Sequence, residues 1–227
     1  MFFISFCNSM MKNYLTEALG TFFLVLVIGL VVASGSEFAP IAIGTALMVM
    51  VYAGWHVSGG HYNPAVTLGL SIAGKSPWSQ AIPYMISQLI GAFLASGISY
   101  RLVGQNLIVS PAITTSSLTA IVAELLFTFA LVYVVLNTAC TKATEGNSYY
   151  GLAIGLTVMA AAFAVWWISW WAFNPAVAAG PQLFDLLMWG TSISSIWVYL
   201  IGCFAWWSLA ALRYTMINKD KGFKLFD

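Results

Sequence analysis

Long apolar runs divide the chain into six segments, each long enough to cross a lipid bilayer as a helix. A transmembrane helix needs about 20 apolar residues to cross about 30 Å of hydrocarbon. The pattern predicts spans at 15–34, 39–55, 79–103, 118–140, 149–167 and 189–212. We therefore expect an all-α, multi-pass membrane protein whose residues 1–227 form a single transmembrane domain.

Two shorter apolar stretches lie between these spans, at 64–73 and 175–187. With about 10 to 13 residues, neither can cross the hydrocarbon region as a helix. A short helix can still lie in a membrane where it lines a cavity or is buried in protein. The sequence thus predicts two re-entrant half-helices in addition to the six spans.

Composition agrees with a membrane protein and narrows the function. Hydrophobic residues make up 61% of the chain and charged residues only 7%, too few to cover a soluble globule. The net charge of +1 gives no basis for binding nucleic acid. The two histidines, His56 and His61, have no cysteine or carboxylate beside them, so we expect neither a metal nor a cofactor.

The basic residues predict the orientation in the membrane. When the spans alternate, seven of the eight lysines and arginines fall on one side: Lys12, Lys75, Lys142, Arg213, Lys219, Lys221 and Lys224, with Arg101 alone on the other. Basic residues concentrate on the cytoplasmic side. We therefore expect a cell-membrane protein with both termini in the cytoplasm, the tail at 214–227 included.

Two sets of residues recur along the chain. Glu17 in LTEALGTFF is matched 107 residues later by Glu124 in IVAELLFTF, and the tripeptide at 63–65 recurs 111 residues later at 174–176. Three spans precede the second copy, so it enters the membrane upside down. The sequence predicts inverted repeats at about 12–104 and 118–213, which usually share a site near the bilayer midplane.

The repeated tripeptide is Asn-Pro-Ala, formed by Asn63, Pro64 and Ala65 and again by Asn174, Pro175 and Ala176. Asparagine is a preferred helix N-cap and proline is favoured at the first helical position. Each half-helix should therefore begin at its asparagine. Two helix starts that meet inside a membrane indicate a water-filled pore, whose positive dipole ends repel cations.

These motifs resemble the aquaporin, or major intrinsic protein, family over about residues 15–212. The resemblance rests on EALGTFFLV, HVSGGHYNPAVTLG, SQLIGAFLAS, AELLFTFALVYVVL, AFNPAVAAGP and WVYLIG. It implies that Glu17 and Glu124 are buried acceptors that hold the two re-entrant loops, and that His61 lies beside the pore. A proton relay through the glutamates is the alternative, because membrane carboxylates are often functional.

The resemblance also implies four selectivity-filter positions, which spacing from the two asparagines assigns to Ile43, Ala162, Trp171 and Val177. The family ordinarily has arginine at the position of Val177. Valine removes its charge and its fork of donors, so the filter should be apolar. Glycerol remains a second, less favoured solute, because Ala178 replaces the aspartate of the glycerol facilitators.

Bulky residues stand where the first repeat has glycine. Trp170 and Trp171 correspond to Gly59 and Gly60, and a further pair follows at 206–207. Glycine permits close approach and left-handed backbone, which tryptophan does not adopt freely. The Trp171 indole could narrow or plug the pore, or face lipid or a neighbouring chain.

Three functions remain open. The favoured one is a passive channel for water, with other small neutral solutes as further candidates. The alternative is a poorly conducting protein that serves as a structural subunit of a larger membrane complex through its tryptophans. A proton-coupled transporter or enzyme has little support, because neither glutamate has a titratable partner nearby in sequence. The resemblance also implies a homotetramer.

Overall fold

A computed structural model of the chain describes the backbone of residues 2–205 and 207–218, with side chains over 10–204 and 209–217. The predicted tryptophan pair at 206–207 and most of the tail at 214–227 lie outside these side-chain ranges. Within the described residues every regular element is a helix. The predicted all-α class is confirmed.

Six helical segments are long and apolar enough to span a membrane: Met10–Ala33, Ala39–Ser58, Trp78–Val103, Ser117–Ala139, Tyr150–Ser169 and Ser192–Ile217. They belong to α1 (Phe2–Ala33), α2 (Ala39–Ser58), α4 (Trp78–Val103), α5 (Ser117–Ala139), α6 (Tyr150–Ser169), and the pair α8 (Ile196–Ala205) and α9 (Trp207–Asn218). The six predicted spans are confirmed.

The ends of the first and last spans differ from the prediction. Helix α1 begins at Phe2, well before the predicted span at 15–34, because a helix can continue beyond the membrane where no proline or glycine stops it. The last span begins at Ser192 rather than at Trp189. Trp189 instead has a left-handed backbone, with φ of 63°, in the turn that precedes this span.

The two short helices are α3 (Pro64–Ile72) and α7 (Pro175–Leu187). At 1.5 Å per residue, nine and 13 residues reach only about 14 and 20 Å, too little to span the hydrocarbon. Each short helix packs against the last long segment of the opposite half of the chain. Helix α7 contacts α4, and α3 contacts α9.

Small residues allow the long helices to approach closely. Helix α1 packs mainly against α2 and α4, and α2 packs against α6. A Cβ atom added at Gly155 would lie 2.4 Å from the carbonyl oxygen of Gly44, and one at Gly91 would lie 2.2 Å from the carbonyl oxygen of Ala18. The α2–α6 and α1–α4 contacts therefore depend on glycine at these positions.

Candidate functional site: a central cavity between two re-entrant loops

Each short helix begins at an asparagine whose side chain caps it. Asn63 has extended backbone (φ −157°), and its Oδ1 accepts hydrogen bonds from the backbone N–H groups of Ala65 and Val66 at 2.8 and 3.4 Å. Asn174 repeats this arrangement with Ala176 and Val177 at 2.9 and 3.4 Å. Both prolines occupy the first helical position, where a missing N–H costs nothing.

The two asparagines also bind the loops to each other. Nδ2 of Asn63 donates to the carbonyl oxygen of Phe173, and Nδ2 of Asn174 donates to the carbonyl oxygen of Tyr62, each at 2.8 Å. A side-chain amide has two N–H donors. Each asparagine therefore uses one N–H to join the loops and has a second, and both residues line the same central cavity.

Glu17 on α1 is an acceptor for the first loop. Its Oε1 accepts from Ser58 Oγ at 2.6 Å and from the backbone N–H of His61 at 3.0 Å. Its Oε2 accepts from the backbone N–H of Tyr62 at 2.7 Å and from Nε2 of Gln88 at 2.8 Å. The carboxyl group is completely buried, so these four donors offset the loss of water.

Glu124 on α5 holds the second loop in nearly the same way. Its Oε1 accepts from Ser169 Oγ at 2.6 Å and from the backbone N–H of Ala172 at 3.0 Å, and its Oε2 accepts from the backbone N–H of Phe173 at 2.6 Å. The fourth donor is the thiol of Cys203 at 3.7 Å. A thiol is a weak donor compared with an amide, so the second loop is held less strongly.

His61 lies beside the central cavity. Its Nδ1 is 3.1 Å from Oγ1 of Thr67, and its ring packs against that of Tyr84 with the ring centroids 5.0 Å apart. Within the described part of the chain, no three His, Cys, Asp or Glu side chains form a group that could hold a metal ion. The neighbours of the His61 ring are thus the Thr67 hydroxyl and the Tyr84 ring.

The central cavity is narrow and mostly apolar. The space open to the centres of water molecules is about 30 Å³. This space admits molecules of the size of water and leaves little room for larger ones. Most of its wall is formed by aliphatic side chains, such as Leu24, Ile28, Leu47, Leu131, Val135 and Val158, and its polar side chains are His61, Asn63 and Asn174.

Three of the four predicted filter residues line this cavity: Ile43, Trp171 and Val177. The fourth, Ala162, is completely buried in α6 and is not among the lining residues. Trp171 also lines a second, larger cavity beside Glu37. Trp171 thus borders both cavities.

Trp170 and Trp171 adopt the backbone conformation that glycine adopts in the first loop. Their φ angles are 68° and 46°, against 85° and 54° for Gly59 and Gly60. Left-handed backbone costs a residue with a Cβ atom roughly 1–2 kcal/mol. The two indoles stack in parallel, with centroids 5.2 Å apart and an interplanar angle of 5°, which offsets part of this cost.

The sequence model of the family described as major intrinsic protein matches residues 5–214. The chain belongs to the major intrinsic protein family. It is 34% identical to aquaporin NIP1-1 of Zea mays over 91% of this chain and 75% of the relative. It is 37% identical to glycerol uptake facilitator protein-like 6 of Lactiplantibacillus plantarum over 84% and 91%.

A solved structure supports the same fold. The aquaglyceroporin of Plasmodium falciparum matches with a TM-score of 0.82 and 22% identity, over 90% of this chain and 95% of that one. As a member of the major intrinsic protein family, the chain is a transmembrane channel for small solutes and not an enzyme. It is thus an aquaporin-type channel with tryptophan in its second re-entrant loop.

Sequence reasoning missed several residues that hold the loops of this aquaporin-type channel. Gln88 donates to Glu17 and Cys203 donates to Glu124, and Tyr84 and Tyr199 likewise make a matching pair of hydrogen bonds. The two tyrosine hydroxyls donate to the carbonyl oxygens of Ser58 and Ser169 at 2.9 and 2.8 Å. The repeated LIG at 89–91 and 200–202 pairs Gln88 with Tyr199 in the sequence, so the matching roles of the two tyrosines emerge only from these hydrogen bonds.

Proposed function

We propose that the chain is a passive pore for water, and for other small neutral solutes that fit, which pass the Asn63 and Asn174 amides. The observation that carries this proposal is that both amides line one cavity while each gives one N–H to the opposite loop. The second N–H of each amide can then donate to the oxygen of a passing solute. Two fixed donors near the midplane suit a neutral molecule with a lone pair.

The same arrangement argues against conduction of cations. Helices α3 and α7 both begin at this cavity, and the N-terminus of a helix carries about half a positive charge. No acidic side chain lines the cavity to compensate for it among the described residues. We propose that the two helix starts exclude cations and protons while neutral solutes pass.

We propose that Ile43, Ala162, Trp171 and Val177 form the selectivity filter, with Ala162 contributing only as a small residue behind the wall. Val177 offers a solute neither charge nor a hydrogen-bond donor. The small lumen favours water over larger polyols, although some relatives of the chain are named for glycerol. Ala178 is buried outside the cavity wall, so it offers a polyol no polar contact.

The wider context is also a proposal. We propose a cell-membrane channel with two inverted repeats, at about 12–104 and 118–213, and with both termini in the cytoplasm. The paired hydrogen bonds of Glu17 and Glu124 support the repeat, and the distribution of lysine and arginine supports the orientation. By resemblance to its family, we propose a homotetramer with one pore per subunit.

The proposal is tested by osmotic shrinkage of proteoliposomes, followed by stopped-flow light scattering. Vesicles with the protein should shrink faster than empty ones when sucrose is added outside. When glycerol is added instead, the re-swelling caused by glycerol entry should be slower than the shrinkage caused by water efflux. Asn63→Leu removes one pore donor and should slow shrinkage. Asn137→Leu, a matched change in an asparagine that does not line the cavity, should leave the rate unchanged. Equal rates with and without protein would contradict the proposal.

A second candidate is a poorly conducting protein that serves as a structural subunit of a membrane complex. The observation in its favour is the Trp171 indole, which borders a lumen of only about 30 Å³. Under this alternative the wild-type protein would shrink vesicles no faster than lipid alone, and shortening Trp171 would create the missing conductance.

A further inference from the structure

A separate cavity, which we name the Glu37 vestibule, adjoins the central cavity at Trp171. It is formed by the end of α1, the start of α2 and the end of α6, with Glu37, Phe163, Trp166 and Trp171 among its lining residues. The space open to water centres is about 340 Å³, within the range of small-molecule sites. Trp171 is the one residue that lines both cavities among the described parts of the chain.

The chemistry of the vestibule differs from that of the central cavity. Three aromatic residues, Phe163, Trp166 and Trp171, are among its lining residues. Glu37 is its one charged residue among the described residues, and no lysine or arginine lines it. Trp170 stacks on one face of the Trp171 ring, which leaves the remainder of that ring to border the cavities.

Aromatic faces beside a carboxylate favour one class of ligand. The face of an aromatic ring carries partial negative charge and attracts cations, and rings arranged around a cavity recognise quaternary ammonium groups. A carboxylate adds attraction for the same charge. A methylated ammonium is also weakly hydrated, so it gives up less solvation than a metal cation on entering an apolar space.

We infer that the Glu37 vestibule binds a small organic cation with a quaternary ammonium group. The inference goes beyond the proposed water pore and does not depend on it, because binding can be measured in a protein that conducts nothing. A cation held there would lie against Trp171, the residue shared with the central cavity. Occupancy would therefore place the cation beside a residue of the pore wall.

Another cavity lies where α2 and α5 end and α6 begins, and it provides a control for the effect of charge. It is lined by Lys75 and Lys142 together with Glu145, so its charge does not favour a cation. Glu145 is exposed, as Glu37 is. The change Glu145→Gln therefore removes the same charge as Glu37→Gln, but at a cavity where the inference predicts no binding of the cation.

The chain also offers an aromatic control. Trp166 and Trp167 are neighbours on α6 with similar exposure, 59% and 64%, yet only Trp166 lines the vestibule. Replacement of either by leucine removes an exposed indole from the same turn of helix. A difference between Trp166→Leu and Trp167→Leu therefore reports on the vestibule rather than on folding or lipid contact.

The test is isothermal titration calorimetry of choline into the full chain, reconstituted in nanodiscs whose lipids lack choline headgroups. We expect saturable binding, with 3,3-dimethylbutan-1-ol, the uncharged analogue of choline, at least fivefold weaker. Glu37→Gln and Trp166→Leu should each weaken choline about two- to fivefold, as expected for partly exposed cation–π and ionic contacts. Glu145→Gln and Trp167→Leu should leave the affinity unchanged.

Three results would overturn the inference. They are an absence of saturable binding, equal affinity for choline and its neutral analogue, or equal losses in the matched variants. A second series in nanodiscs with phosphatidylcholine separates two sources of the ligand. A weaker apparent affinity for choline in these nanodiscs would show that the lipid headgroup occupies the vestibule. An unchanged affinity for choline would show that the vestibule binds a soluble cation instead.

Discussion

Substitution of Trp171 tests whether its indole narrows the pore and limits water permeability. Its indole is 97% buried, borders the central cavity together with Ile43 and Val177, and lies on a backbone with φ of 46°. Trp171→Gly removes the indole and installs the residue that best tolerates this backbone. Gly60, its equivalent in the first loop, already has a similar conformation at φ of 54°.

The expected gain in permeability follows from hydrogen bonding in the narrow lumen. The space open to water centres is about 30 Å³, and away from His61, Asn63 and Asn174 its apolar wall offers water no replacement for the hydrogen bonds that it loses. Each hydrogen bond left unmade costs about 1–3 kcal/mol. Restoring one such bond in a widened lumen should raise water permeability at least about fivefold, since 1.4 kcal/mol corresponds to a factor of ten.

The same substitution should lower stability. Removal of a buried tryptophan costs about 3–5 kcal/mol, and relief of the left-handed backbone returns roughly 1–2 kcal/mol. The net loss of about 1–4 kcal/mol should appear as a lower midpoint of thermal unfolding in detergent. Permeability must therefore be normalised to the amount of folded protein in the vesicles.

Stopped-flow shrinkage of proteoliposomes measures the gain, with Trp170→Gly as the matched control. Trp170 shares the stack and the left-handed backbone but does not line the cavity. We expect faster shrinkage for Trp171→Gly and little change for Trp170→Gly. Unchanged permeability for Trp171→Gly, or the same rise in both variants, would refute the assignment of the indole to the pore.

Three further substitutions test other parts of the account. Asn63→Asp should admit cations by placing a negative charge at a helix start, which a dye-based sodium flux assay would detect; an unaltered flux would argue against Asn63 as a pore residue. Glu124→Leu should leave three strong donors without an acceptor, at about 1–3 kcal/mol each, and abolish folded protein in size-exclusion chromatography; a monodisperse peak would argue against this role. Gly155→Ala should force α2 and α6 apart at the carbonyl of Gly44, which lowers the unfolding midpoint by an amount equivalent to about 1–3 kcal/mol; an unchanged midpoint would contradict the close contact.

The helices and the loop caps could be predicted from local sequence. Apolar run length distinguishes a span from a half-helix, because the bilayer sets the length that is needed. The Asn-Pro pairs at 63–64 and 174–175 carry their own capping chemistry, which depends only on neighbouring backbone groups. These features needed no knowledge of which helices touch.

Features that depend on packing between distant residues could not be predicted. Gln88 reaches Glu17 from a helix 71 residues further along the chain, and Cys203 reaches Glu124 from 79 residues away. Neither residue has a local signal for this role. The position of Ala162 behind the cavity wall likewise depends on the rotation of α6, which the even hydrophobicity of that helix does not reveal.

The effect of the tryptophans on the lumen also required the structure. The sequence could show that Trp170 and Trp171 replace glycines, but not that both accept a left-handed backbone and stack on each other. Only one of the two indoles then borders the central cavity. The size of the remaining lumen depends on this orientation and not on residue type alone.

Water conduction is tested most directly by the temperature dependence of osmotic water permeability in proteoliposomes that contain the wild-type chain. Passage through a pore lined by the Asn63 and Asn174 amides avoids the cost of dissolving water in hydrocarbon. We predict that shrinkage is faster than in empty vesicles and that its rate rises less steeply with temperature. A rate and a temperature dependence equal to those of empty vesicles would contradict the account of this protein as a water channel.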